Sequence, residues 1–237
     1  ISLAFAFGQL WWGLTQPFAG AIADRVGTGR VLVTGVVLVA LGTFITPLMT
    51  STAGLIFSIG VLAAGGAGMA GPSVLMAATT RMVPAARRGI ATGMVNAGGS
   101  FGQFLMAPLA IGLSASLGWA SAMQVLGLLV LLALPAAWVL KGNALQSAPA
   151  GQKRLSAREA IAEAFRLPSF WMLSAGFLVC GFHVAFLATH LPGVIAECGL
   201  PVQVGGWALA MIGLFNIFGS FGMGWAVGRW RMKSLLS

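Results

Sequence analysis

Polar side chains are few in this chain, and several stand inside long apolar runs. Each needs a partner there, so each is a site candidate. Counting about 1.5 Å per helical residue, His183, Gln103 and Asn216 fall in the middle third of their runs. Asn96, Gln9 and Gln16 are further candidates. An amide donates and accepts hydrogen bonds, and an imidazole also changes charge near neutral pH. Such groups serve either as glue between helices or as contacts to a solute. Asn96 and Gln103 are seven residues apart and share a helical face. Trp12, with Trp11, lies near mid-run, to pack, to meet lipid or to wall a cavity. His190 is two helical turns, about 10 Å, from His183, too far to share a metal ion. Cys180 and Cys198 lie at different depths, which argues against a disulfide or metal pair. The acids are Asp24, at the end of a run, Glu159 and Glu163 in a polar linker, and Glu197 in a loop. None sits beside His183, so an acid–base active site of a membrane enzyme has no second member. Neither a metal nor a cofactor is expected.

A different constellation lies between two apolar runs: Gly20-Ala-Ile-Ala-Asp-Arg-Val-Gly-Thr-Gly-Arg30. It offers glycines for a tight turn, one acid and two arginines. A degraded copy stands near the other end, Gly224-Trp-Ala-Val-Gly-Arg-Trp-Arg-Met-Lys233. With Gly20 set on Gly224, Arg25 falls on Arg229 and Asp24 on Gly228, so the second copy loses its acid. A loop repeated at this distance implies two structural repeats, each several helices long.

These residues must be positioned by membrane helices. The chain is 58% hydrophobic and 7% charged, with 34 glycines, a balance that soluble domains do not have. A span needs about 20 apolar residues to cross about 30 Å of hydrocarbon. Seven stretches qualify: 1–23, 31–49, 53–78, 90–113, 119–140, 169–191 and 204–227. The net charge of +9 could suggest nucleic acid. All 13 Lys and Arg residues, however, fall in alternate connections, which is the mark of membrane topology and places those loops in the cytoplasm. Trp119 and Trp207 begin spans on the outer side, while Trp138, Trp171, Trp225 and Trp230 stand at inner ends, as an interfacial belt. The absence of an initiator Met, with Ile1 already in an apolar run, predicts a fragment whose N-terminus is missing.

Residues 141–168 form a cytoplasmic linker between a first half, 1–140, and the start of a second, 169–237. Gly142 to Gly151 has linker composition, and Ser156-Ala-Arg-Glu159 is a capping box that starts a short helix ending near Leu167. Ile161 and Phe165 share one face of it, which suits the membrane surface. Small residues recur every fourth position at Gly60, Ala64 and Gly68, at Gly89, Gly93 and Ala97, and at Gly98 and Gly102, as close helix packing requires. The glycine-rich run 65–72, ending in Pro72, and Pro108 are candidate kinks.

The pattern Gly-x-x-x-Asp-Arg-x-Gly-x-x-Arg resembles the loop between the second and third helices of the major facilitator superfamily. The resemblance implies an all-α membrane fold of twelve helices in two six-helix halves, of which about seven, helices two to eight, are present. The second copy then follows helix eight, as the repeat requires. It also implies a secondary transporter that moves a small solute by alternating access. In that family the acid of the loop, here Asp24, pairs with arginine and faces a helix N-terminus of the other half, latching the cytoplasmic side shut. Gly20, Arg25, Gly27, Arg30 and Arg229 match the same pattern by position. The substrate then binds near the midplane, which makes His183, Gln103, Asn216, Asn96, Gln16 and Trp12 its expected contacts. A coupling proton or counter-substrate, a lipid bilayer (the bacterial inner membrane) and a monomeric state complete the expectation. Arg166-Leu-Pro-Ser-Phe-Trp171 and Phe182-His-Val-Ala-Phe-Leu-Ala-Thr-His-Leu-Pro192 resemble the monocarboxylate-transporter-like and oxalate/formate-exchanger-like branch. Members that carry oxalate or monocarboxylates often place an arginine in helix eight, and residues 204–227 hold none. That favours a small monoanion such as a monocarboxylate over a dianion, with another metabolite or a drug as the alternative solute. A membrane enzyme and a non-transporting sensor are the alternatives outside the class.

Overall fold

The computed structural model describes residues 2–84, 87–139, 157–227 and 229–230, and every regular element among them is helical. In chain order these are α1 (Ser2–Val26), α2 (Thr28–Ile45), α3 (Thr52–Leu55), α4 (Ala64–Met69), α5 (Pro72–Met82), α6 (Arg88–Leu117), α7 (Trp119–Val130), α8 (Leu134–Val139), α9 (Ala157–Arg166), α10 (Pro168–Glu197) and α11 (Val202–Val227). Most of the linker, the Ser156 cap, Gly228, Lys141, Lys153, Arg154, Arg231 and Lys233 lie outside the described residues.

Among the described residues, six helical runs are long and apolar enough to span a membrane: Thr28–Leu48, Thr52–Thr80, Arg88–Leu117, Trp119–Trp138, Pro168–Glu197 and Gln203–Val227. The first of the seven expected spans is the exception. Its helix, α1, has 25 residues and is long enough, but Gln9, Gln16 and Pro17 dilute its apolar content.

The chain forms two compact units, Ile1–Ser147 with Ala210–Ser237, and Ala148–Leu209. In the first, α2 is the central helix, with Val31, Leu32, Val36 and Ala40 buried. It reaches the Thr52–Thr80 span by backbone contact. A methyl built on Gly35 would stand 2.7 Å from the Gly66 carbonyl oxygen, and one on Gly42 would stand 2.6 Å from that of Ser58. These pairings run antiparallel. On another side Gly127 of α7 meets α2, 2.9 Å from the Ala40 carbonyl oxygen by the same measure. Without a hydrophobic driving force in lipid, helices associate through such close small-residue packing. The core follows suit, built from Ala19, Ala23, Val31, Leu32, Val74 and Ala137, while large apolar side chains point outward.

The Thr52–Thr80 span is irregular. Ile56–Ala63 is wound as a π-helix between α3 and α4, with Ser58 fully buried. The helix then breaks at Ala70–Gly71 and restarts with Pro72 at its first turn, where the glycine-rich run predicts a kink. Pro108 instead sits inside a continuous α6.

In the second unit, α9 ends at Arg166, and Pro168 opens α10 from an extended Leu167. The Trp171 indole N–H donates to the Phe165 carbonyl at 3.0 Å, and the Phe165 ring packs edge-on against Trp171 with centroids 5.1 Å apart. The motif 166–171 is thus a corner that pins the short helix to the start of α10. Ile161 and Phe165 are half exposed on it.

Candidate functional site

α6 and α11 run antiparallel within the first unit and touch at two places. Near one end, a methyl on Gly93 would lie 2.8 Å from the Ser220 carbonyl oxygen and 3.1 Å from Gly224 Cα. About two turns along, a methyl on Gly213 would lie 2.8 Å from both the Phe104 nitrogen and the Ser100 carbonyl oxygen. Only glycine allows the backbones this close. Beside the crossing lies an open cavity of about 410 Å³. From α6 it is lined by Gly89, Thr92, Gly93 and Asn96, one face at helical spacing. From α11 it is lined by Asn216, Gly219, Ser220, Met223, Gly224 and Val227. Among the described residues, no lining residue carries a charge.

The structure therefore brings Asn96 and Asn216 to one cavity. By helical rise, Asn96 lies about 12 Å along α6 from Arg88, and Asn216 about 16 Å along α11 from Val227, so both stand near mid-membrane depth. Among the described residues, neither side-chain amide makes a hydrogen bond. Gln103 is half-buried on α6 but does not line the cavity. Gln16 is half-buried on α1. Trp11 stacks on Phe7 with centroids 6.2 Å apart and backs Gly65, so it is a packing residue. The Trp12 carbonyl accepts from the Thr15 hydroxyl at 3.0 Å, and its ring is about one-third exposed. His183 is exposed on α10 in the second unit. His190, by contrast, stacks on Phe186 at 4.9 Å, and its Nδ1 lies 2.8 Å from the Thr189 hydroxyl.

Two lining hydroxyls, Thr92 and Ser220, do not stand out in the sequence. Each lies four residues from a cavity amide, and that spacing is the signal that could have found them. The Thr92 hydroxyl is within reach of the Arg88 and Gly89 carbonyls at 3.0 and 2.9 Å, so its proton stays within its own helix.

The loop motif folds as its residue types require. Gly27 takes φ 99°, a conformation costly for other residues, and its N–H donates to the Ala23 carbonyl at 3.0 Å. α1 therefore ends and α2 begins within two residues, above the core of Ala19, Ala23, Val31 and Leu32. Gly20 is half-buried, and Asp24, Arg25 and Arg30 are exposed on this turn. In the second copy the Arg229 guanidinium lies 4.4 Å from the Trp225 ring centre, a cation–π contact, and Trp225 meets Trp230 edge-on. Among the described residues no cluster of His, Cys, Asp or Glu could hold a metal ion.

Apolar spans joined by glycine contacts, with charges kept to helix ends, define a multi-pass α-helical membrane protein. The sequence profile of the Major Facilitator Superfamily matches residues 1–237, and the chain belongs to that family. A galacturonate transporter of Dickeya chrysanthemi is 32% identical over 149 residues, covering 62% of this chain and 40% of that protein.

Proposed function

We propose that the protein is a secondary transporter that moves a small organic monoanion, a monocarboxylate bearing hydroxyl groups, by alternating access. The observation that carries this reading is the cavity between α6 and α11, with two amides near mid-membrane depth that make no hydrogen bond among the described residues, in a chain of this family. The relative's substrate by name, galacturonate, is a hydroxylated monocarboxylate, which supports the substrate class. Asn96 and Asn216 are the first contacts on this reading. His183, Gln103, Gln16 and Trp12 are further ones, and His183 is the candidate hydrogen-bond donor to the carboxylate. Residues 1–140 then belong to one half of the transporter, 141–168 to the cytoplasmic linker, and 169–237 to the other half. Asp24, Arg25 and Arg30 act as the latch of the cytoplasmic side, on a turn set by Gly20 and Gly27, and Arg229 marks its second copy. The protein works as a monomer in a bacterial inner membrane with its basic loops cytoplasmic, exchanging or co-transporting a proton or counter-substrate.

The test is uptake by the full-length protein in sealed proteoliposomes. Saturable uptake of labelled galacturonate, competed by other monocarboxylates but not by dicarboxylates, is the expected result. Uptake of neutral sugars with no uptake of any carboxylate would overturn the substrate class.

A further inference from the structure

The cavity between α6 and α11 offers four side-chain polar groups, the amides of Asn96 and Asn216 and the hydroxyls of Thr92 and Ser220, and no charge. A carboxylate leaving water needs a cation or several strong donors in its place, because an unpaired buried charge is far costlier than a neutral polar group. Among the described residues these walls hold no cation. A hydroxyl group of a solute has the opposite requirement, since it donates once and accepts twice, and an amide supplies both partners. The Asn96 and Asn216 amides make no hydrogen bond among the described residues. Both residues are exposed on the open cavity, so each amide can exchange water for a hydroxyl of a ligand. The cavity, about 410 Å³, falls within the range of about 300–1,000 Å³ usual for small-molecule sites. Gly219 keeps one wall bare, and a methyl built there meets nothing within 4 Å.

We infer that Asn96 and Asn216 determine specificity by reading the uncharged, hydroxyl-bearing part of the solute, while its carboxylate is met outside this cavity. The inference rests on the transport reading above and divides the recognition of that solute between two places. It requires that discrimination between hydroxylated and plain acids reside in these amides.

The experiment is calorimetric titration of the purified full-length protein with three probes: galacturonate, cyclohexanecarboxylate and galactose. The second has a ring and a carboxylate but no hydroxyls, and the third has hydroxyls but no carboxylate. Asn96→Ala and Asn216→Ala each weaken galacturonate by about three- to tenfold, the worth of one neutral hydrogen bond, and leave cyclohexanecarboxylate within about twofold. Both changes remove a polar group from a membrane helix, so a folding defect is not their expected cost. Equal weakening of both acids in these variants, or no weakening of galacturonate, overturns the inference. The anion reading fails separately. If wild type binds galactose as tightly as galacturonate and the Asn variants weaken both, the hydroxyl reading stands and the carboxylate has no role. If wild type binds none of the three, both are overturned.

Discussion

The two histidines of α10 differ in what surrounds them, and that difference sets their expected roles. His190 is engaged, stacked on Phe186 and within hydrogen-bond distance of Thr189. His183 is turned away from the Phe182–Phe186–His190 column and makes no hydrogen bond among the described residues. If His183 meets the carboxylate, His183→Ala lowers uptake by about tenfold or more, the worth of a charged hydrogen bond, and His190→Ala by much less. Equal uptake by wild type and the His183 variant would remove it from the site. Asp24 stands at the end of α1, where the latch needs a charge rather than a shape. Asp24→Asn should slow substrate exchange by about three- to tenfold while leaving equilibrium binding unchanged, because a charge at a helix terminus contributes on that scale. A binding defect without a rate defect would contradict the latch. At this scale the sequence is informative where a polar type breaks an apolar run, as Asn96 and Asn216 do. It is nearly silent for Thr92 and Ser220, because hydroxyls in membrane helices so often bond their own carbonyls.

Helix faces are set by spacing, but which face finds a neighbour is not. Gly89 and Gly93 lie against Gly224 of α11, whereas Gly98 and Gly102, spaced identically on the same helix, have nothing within 4 Å of an added methyl. Periodicity gives both pairs the same standing, and only the path of a helix far along the chain separates them. The consequence is measurable. Gly93→Leu and Gly213→Leu force the backbones of α6 and α11 apart, at a cost of about 1–3 kcal/mol by overpacking, and should reduce folded yield and abolish uptake. Gly98→Leu and Gly102→Leu should fold as wild type. Thermal unfolding in detergent, followed by fluorescence-detected size exclusion, reads both outcomes, and equal loss in all four variants would mean that the crossing is not the constraint. The π-helical turn of Ile56–Ala63 was equally hidden, since an i to i+5 hydrogen-bond pattern has no composition of its own.

For the whole molecule, the directions in which helices meet test the topology. Spans that begin on the same face must run parallel, and spans that begin on opposite faces must run antiparallel. α2 meets the Thr52–Thr80 span antiparallel, through Gly35 with Gly66 and Gly42 with Ser58, and α6 meets α11 antiparallel. α1 meets the Thr52–Thr80 span in parallel: Phe7 lies at Gly60, Trp11 at Gly65 and Thr15 at Gly68. This bears on the one helix whose composition falls short. A helix packed in register along two turns of a span shares its depth, so α1 should cross the membrane despite Gln9 and Gln16 and start on the face opposite the basic loops. The residue Ser2 should then lie on the same side as Cys198, which follows α10. A single cysteine at Ser2, with Cys180 and Cys198 both changed to Ser, is expected to react with a membrane-impermeant maleimide from the outside of intact spheroplasts. The native Cys198, tested in a Cys180→Ser background, should react from that side too, and a cysteine at Ser156 only in inverted vesicles. Labelling of Ser2→Cys and Ser156→Cys from one side would mean that α1 lies along the surface, and the count of spans would fall to six.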